Sequence, residues 1–278
     1  MARPYLKDGG IVLTTEPSKR LAFCPVQKSG STTWMTAFAE MNAIDGNQMR
    51  SKSHIIKDYR MMESQKYAIY AKTNEDIDKL NNRSLFKFMF VRHPFYRLAS
   101  TFQFMFVRDG IPPKKNVELI RNYQKKHMKL DNKDLVFFPN VSFAIFTEFL
   151  LHQAQNKNRS FDSVSNLPPE AIHWWPYSEQ CGVCRVKYDL IGHMETFNDD
   201  VQLLFQKFPD IPVLKKMQED AFISSVNWHA HMANTTDYMN IFKTLNKSTI
   251  VRLYTRFKTD FEFGGYPYPS EFIDIGLD

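Results

Sequence analysis

Apolar positions along the chain fall in short runs, each followed by a polar turn and then by residues at helical spacing. Leu21 to Val26 is the first such run, apolar enough for a strand covered on both faces. The polar loop Gln27-Lys28-Ser29-Gly30 follows, and then a helix from about Thr32 to Met41, with Trp34, Phe38 and Met41 on its buried face. Phe86 to Val91 repeats the plan, with Arg92 at its carboxyl end and a helix opening near Pro94. Farther on, the pattern predicts a buried helix over Val141 to Leu151, a strand over Tyr188 to Gly192 and an amphipathic helix over Asn198 to Phe208. A last helix starts at Asn246, shows Ile250, Leu253, Tyr254 and Phe257 on one face, and ends at Gly264-Gly265. Buried strands alternating with helices predict an α/β fold, a central parallel sheet flanked by helices. Residues 1–20, with Gly9-Gly10 and Pro17, read as an irregular lead-in, and 21–278 as a single domain.

The loop carries the first chemistry. Gly30 permits a turn that a Cβ would resist, Lys28 supplies a cation, and Ser31, Thr32 and Thr33 stand where a helix has unpaired N–H groups to offer an anion. The fold is therefore expected to be P-loop-like and three-layered. A Walker A loop places its Lys after the last Gly, whereas Lys28 comes two residues before Gly30. Ligands of open parallel sheets bind beyond the strands' carboxyl ends, so Arg92 is expected to face the same crevice. Ser100, eight residues on, lies about two helical turns into the next helix and completes a candidate second phosphate site. A nucleotide hydrolase would carry an Asp at such a strand end to hold Mg²⁺, and here the residue is basic.

Charge narrows the partners. The formal net charge is +6 and the pI about 9.0, which suits an anionic ligand. Zinc-finger spacing and Arg/Gly-rich tails are missing, so nucleic acid is not expected as a partner. No segment approaches the roughly 20 apolar residues of a membrane span. Lys114, Lys115, Arg121, Lys125, Lys126, His127 and Lys129 form a basic stretch, read either as a solvated helix face or as a docking surface for a sulfated or uronate-bearing polysaccharide.

Taken as a set, Lys28-x-Gly30-Ser31-Thr32-x-Trp34 after one strand and Val91-Arg92-x-Pro94-Phe95-x-Arg97-Leu98-x-Ser100 after another resemble the carbohydrate sulfotransferases of the HNK-1 and chondroitin/dermatan 4-O-sulfotransferase group. His173-Trp174, Cys181-x-x-Cys184, Tyr188 to Thr196, and Asp260-Phe261-x-Phe263-Gly264-Gly265-Tyr266 agree with it, so the resemblance runs from about Leu21 to Tyr266. It implies a single domain that uses 3′-phosphoadenosine 5′-phosphosulfate (PAPS) and no metal. Gln27, Lys28, Ser29, Gly30, Ser31, Thr32 and Thr33 would bind the phosphosulfate, and Arg92 and Ser100 the 3′-phosphate. The acceptor would be a glycan hydroxyl, the 4-position of a chondroitin-type glycosaminoglycan first among them. Three departures are visible: Gln27 where the family has Pro, His93 where it has an acid, and Met35-Thr36 where basic residues are usual.

Family members are type II membrane proteins of the Golgi, with the catalytic domain in the lumen. Sequons at Asn82, Asn140, Asn158, Asn234 and Asn246 agree with a lumenal site. In that oxidising setting Cys181 and Cys184 are expected as a short disulfide with Cys24 unpaired, ahead of a zinc half-site or redox loop at the same spacing. An alcohol acceptor calls for a general base, and His54, in a polar run at the family's position for one, is the candidate, with His173 next. Trp174 and Trp175 read either as a sugar platform or as core. Two alternatives stay open: a P-loop nucleotide or sugar kinase, and a glycan-binding homologue without turnover.

Overall fold

Strand pairing follows the two apolar runs seen in the sequence. The computed structural model describes residues 10–14, 20–42, 68–71, 74–82, 84–107, 114–131, 141–154, 169–218 and 240–273. The strands are β1 (Gly10–Thr14), β2 (Leu21–Cys24), β3 (Ala68–Ala71), β4 (Phe86–Val91) and β5 (Leu190–His193), joined in the order β3-β1-β2-β4-β5. β2, β4 and β5 are mutually parallel, with Cys24 opposite Met89 and Val91 opposite His193. This is the expected parallel centre. β1 runs antiparallel to both β2 and β3, so the sheet as a whole is mixed. Residues 1–20 were expected to be an irregular lead-in, and Gly10–Thr14 corrects this. Its run Ile11-Val12-Leu13-Thr14 is β-branched enough for a strand, but Gly9-Gly10 beside it reads as a breaker.

The chain forms two compact units, Met1–Arg92 with Arg159–Ala233, and His93–Asn158 with Asn234–Asp278. In the first unit, Trp34 on helix Ser31–Met41 is fully buried and sits among Phe23, Phe88, Phe90 and Phe197, its ring 4.7 Å from that of Phe88. Leu21, Phe38, Val201, Leu204 and Leu214 extend the same core. Burial of such side chains stabilises by about 1.5–3 kcal/mol each. Across the β4–β5 pair Gly192 faces Phe90, and a Cβ at 192 would meet that ring at 2.6 Å.

The second unit is helical: Pro94–Phe102, Lys114–Tyr123, Phe143–Ala154, Lys247–Phe263 and Ser270–Ile273. The first two run on into π-helical turns, Gln103–Val107 and Gln124–Met128. Phe95, Phe242, Phe261 and Phe272 stack at its centre, and His93 joins them, 5.1 Å from Phe261 and 5.6 Å from Phe272. Asn246 caps the Lys247–Phe263 helix by accepting from the Thr249 N–H at 2.8 Å, as the sequence predicts. From that helix Arg252 donates to both carboxylate oxygens of Glu148. Among the described residues, no helix is long and apolar enough to cross a membrane.

The cysteines pair otherwise than expected. Cys24, the last residue of β2, is bonded to Cys181, with a Cα–Cα distance of 6.0 Å, and Cys184 is free and exposed. The three-residue spacing of Cys181 and Cys184 permits a short bridge, but the fold brings a residue 157 positions away into range. The Tyr188 hydroxyl donates to the Cys181 carbonyl at 2.8 Å, and burial pushes its phenol far above the ordinary range, so it stays a donor. Peptide mapping without reductant should recover Cys24 and Cys181 linked and Cys184 open to alkylation. Cys24→Ser should lose about 2–5 kcal/mol in denaturant titrations. Recovery of a Cys181–Cys184 peptide would refute this pairing.

Candidate functional site

The loop between β2 and the Ser31–Met41 helix is built by two left-handed residues. Lys28 has φ 67° and Gly30 φ 71°, and the Ser29 N–H donates to the Val26 carbonyl at 3.2 Å. The Gly30 carbonyl accepts the Trp34 N–H at 3.1 Å, so the helix starts at once. Its first turn holds no acidic side chain, and the N–H groups there lack intrahelical acceptors. Helix dipole and open donors together favour an anion at that point. The Ser31 hydroxyl donates to Gln27 Oε1 at 3.1 Å. Ser29 is 0% exposed, and its hydroxyl has no partner among the described residues.

Parallel register places the other strand ends beside this loop. Arg92 follows the last residue of β4 and is 6% exposed. The Val91 carbonyl accepts the Met194 N–H at 2.9 Å, and Met194 follows β5. The Met194 sulfur in turn lies 3.0 Å from where a Cβ on Gly30 would sit. The loop, Arg92 and the residues after β5 therefore share one edge of the sheet. Asp200 braces that edge, accepting from the His193 N–H and the Thr196 hydroxyl, each at 2.8 Å.

Of the residues expected at the site, the structure brings Gln27, Lys28, Ser29, Gly30, Ser31, Thr32, Thr33 and Arg92 to this edge. Ser100 is buried on the Pro94–Phe102 helix of the second unit. His54 lies outside the described residues. His173 ends a short 3-10 helix, Pro169–His173, and is half-buried. Trp174 is 1% exposed, in keeping with the second of its two readings, a core side chain. Sequence reasoning missed Met194 and Asp200, although the acid in the first turn of the helix after Thr196 is a readable capping signal.

An α/β sheet whose parallel strands end in a loop with open N–H donors and a buried Arg offers a place for an anionic ligand. The chain belongs to the sulfotransferase family, whose model matches residues 12–267. Carbohydrate sulfotransferase 10 of Xenopus laevis is 26% identical over 268 residues, covering 90% of this chain and 66% of the relative. Its namesake in Gallus gallus is 28% identical over 262 residues, covering 90% and 65%. Carbohydrate sulfotransferase 14 of Danio rerio is 26% identical over 189 residues, covering 68% and 46%. The chain spans about two thirds, or less, of the length of these relatives. No solved structure matches it. The residues present fit the nucleotide that the family implies: the buried Ser29 hydroxyl is a donor in want of an acceptor, and the first turn of the following helix carries no acid to oppose an anion.

Two substitutions test the loop itself. Lys28→Gly should leave the melting temperature equal or higher, since glycine adopts the left-handed conformation without the roughly 1–3 kcal/mol cost of another residue. Gly30→Ala should lower stability by a similar amount, through positive φ and collision with Met194. Calorimetry giving the opposite order would show that the loop is shaped otherwise.

Proposed function

We propose that the chain is a carbohydrate O-sulfotransferase that moves a sulfuryl group from PAPS to a glycan hydroxyl, with the 4-position of a chondroitin-type glycosaminoglycan as the first choice. The observation that carries this reading is the anion loop with Lys28 at the same sheet edge as the buried Arg92. PAPS supplies the activated sulfuryl group. Lys28 and the N–H groups of the first helical turn hold its phosphosulfate and stabilise the charge that grows on the leaving oxygen. Fixed donors of this kind contribute about 3–4 kcal/mol each. Arg92 pairs with the 3′-phosphate, and its buried position strengthens that pairing. His54 takes the acceptor proton.

The Cys24–Cys181 bridge supports an oxidising compartment, and the reading sets the protein in the Golgi lumen.

Transfer of labelled sulfate from PAPS to chondroitin, dermatan, heparan and HNK-1-type acceptors tests the proposal. Wild-type protein should label chondroitin best. Lys28→Ala should reduce kcat about a hundredfold or more. Arg92→Ala should chiefly raise the KM for PAPS, by about tenfold to a hundredfold. Absence of label on every acceptor, or transfer indifferent to both substitutions, would remove the reading, and phosphate transfer from ATP with Mg²⁺ would replace it with a kinase.

A further inference from the structure

We propose that the exposed face of the Lys114–Tyr123 helix and its π-helical extension is a docking surface for an acidic polysaccharide. Its role as a foothold for a polymeric acceptor rests on the sulfotransferase reading. Residues 114–129 hold six Lys and Arg side chains and one acid, Glu118, so a net +5 of the chain's +6 lies in this segment. Lys114, Lys115, Lys125, Lys126 and Lys129 are exposed and Arg121 is half-buried. At roughly 100° per residue the lysines lie away from Val117, Ile120 and Gln124, which are buried, and Arg121 stands at the margin of that buried face. The row extends about 22 Å at the helical rise. Among the described residues, Lys114, Arg121, Lys125, Lys126 and Lys129 have no carboxylate partner.

Helix stability does not explain this arrangement. Lys125, Lys126 and Lys129 stand at the carboxyl end, where the macrodipole favours cations. Lys114 and Lys115 stand in the first turn, where it disfavours them by about 0.3–1 kcal/mol each; that turn holds no acid, and Glu118 follows four residues after Lys114. Charge is thus retained at both ends of the row, against local stability at one. The partner follows from what accompanies the cations. Single-stranded nucleic acid needs aromatic platforms between them, and Tyr123 is instead packed against Phe149 and His152. A membrane surface needs a free apolar face, and here that face is buried. A flexible polymer with regularly spaced carboxylates or sulfates needs only the spaced cations.

The test uses the whole chain, with size-defined chondroitin sulfate titrated at several salt concentrations and adenosine 3′,5′-bisphosphate binding followed in parallel by thermal shift. Wild-type protein should bind the polysaccharide with an affinity that falls steeply with salt. Lys114→Glu/Lys115→Glu and Lys125→Gln/Lys126→Gln/Lys129→Gln should each weaken it tenfold or more. The first variant should also melt no lower than the parent, and nucleotide binding should be unchanged in both. Unaltered polysaccharide affinity in both variants would overturn the proposal, as would tighter binding of an oligonucleotide of matched charge. Polysaccharide binding lost in the variants while no form binds the bisphosphate would uphold the surface and sink the sulfotransferase reading alone.

Discussion

The contact between Met194 and the bare Cα of Gly30 is the constraint on which the loop depends. Met194 is fixed from behind by its N–H on the Val91 carbonyl, so the strand that ends in Arg92 also positions the thioether that shapes the loop. A left-handed lysine two residues before a left-handed glycine is an unfavourable backbone state, and it persists only where the surroundings over-determine it. Here the surroundings are two hydrogen-bonded strand ends and a turn held by Asp200. The outcome is a concentration of N–H groups and positive charge at one sheet edge, with the cost of the geometry met by packing elsewhere.

That packing is mostly aromatic. Trp34 lies only four residues beyond Gly30, and its ring is enclosed by Phe23, Phe88, Phe90 and Phe197 from two strands and a helix. The helix whose first turn has open N–H donors is therefore anchored by a ring only four residues into it. Cys24 adds a covalent hold three residues before Gln27, so the loop leaves from a strand end that cannot fray. Burial at one end and a cross-link at the other leave little freedom to the few residues between them.

The two strand–loop–helix units were legible because each signal is local: an apolar run, a glycine, and aromatics at helical spacing. The same holds for Asn246, whose cap depends on a residue three positions away. What was not legible depends on distant pairing. Gly10–Thr14 becomes a strand because β2 and β3 lie on either side of it, whereas its own short apolar run follows two glycines that read as a breaker. The Cys181-x-x-Cys184 spacing pointed to the nearer partner, while topology supplied Cys24. Trp174 could not be assigned to core or surface from a Trp-Trp pair alone. The π-helical turns that extend two helices of the second unit leave no periodicity for a 3.6-residue template to find.

The departures from the family pattern have local explanations that leave the anion donors in place. Gln27, where the family has Pro, uses its side-chain oxygen to accept from Ser31, restraining by a hydrogen bond a loop that a pyrrolidine ring would restrain by its fixed φ. Met35 is buried in the first unit's core, so a basic residue has no place there, and the Thr36 hydroxyl returns to the Thr32 carbonyl at 3.0 Å. His93 shows the same logic within the second unit. Its ring lies among Phe95, Tyr96, Phe261, Tyr266 and Phe272, surroundings in which a carboxylate would lose much of its hydration. An imidazole can share an aromatic cluster, and its backbone carbonyl still receives the Arg97 N–H at 2.9 Å to start the helix. Each change thus alters the packing beside the loop or beside Arg92, while Lys28, Gly30 and Arg92 themselves match the motifs.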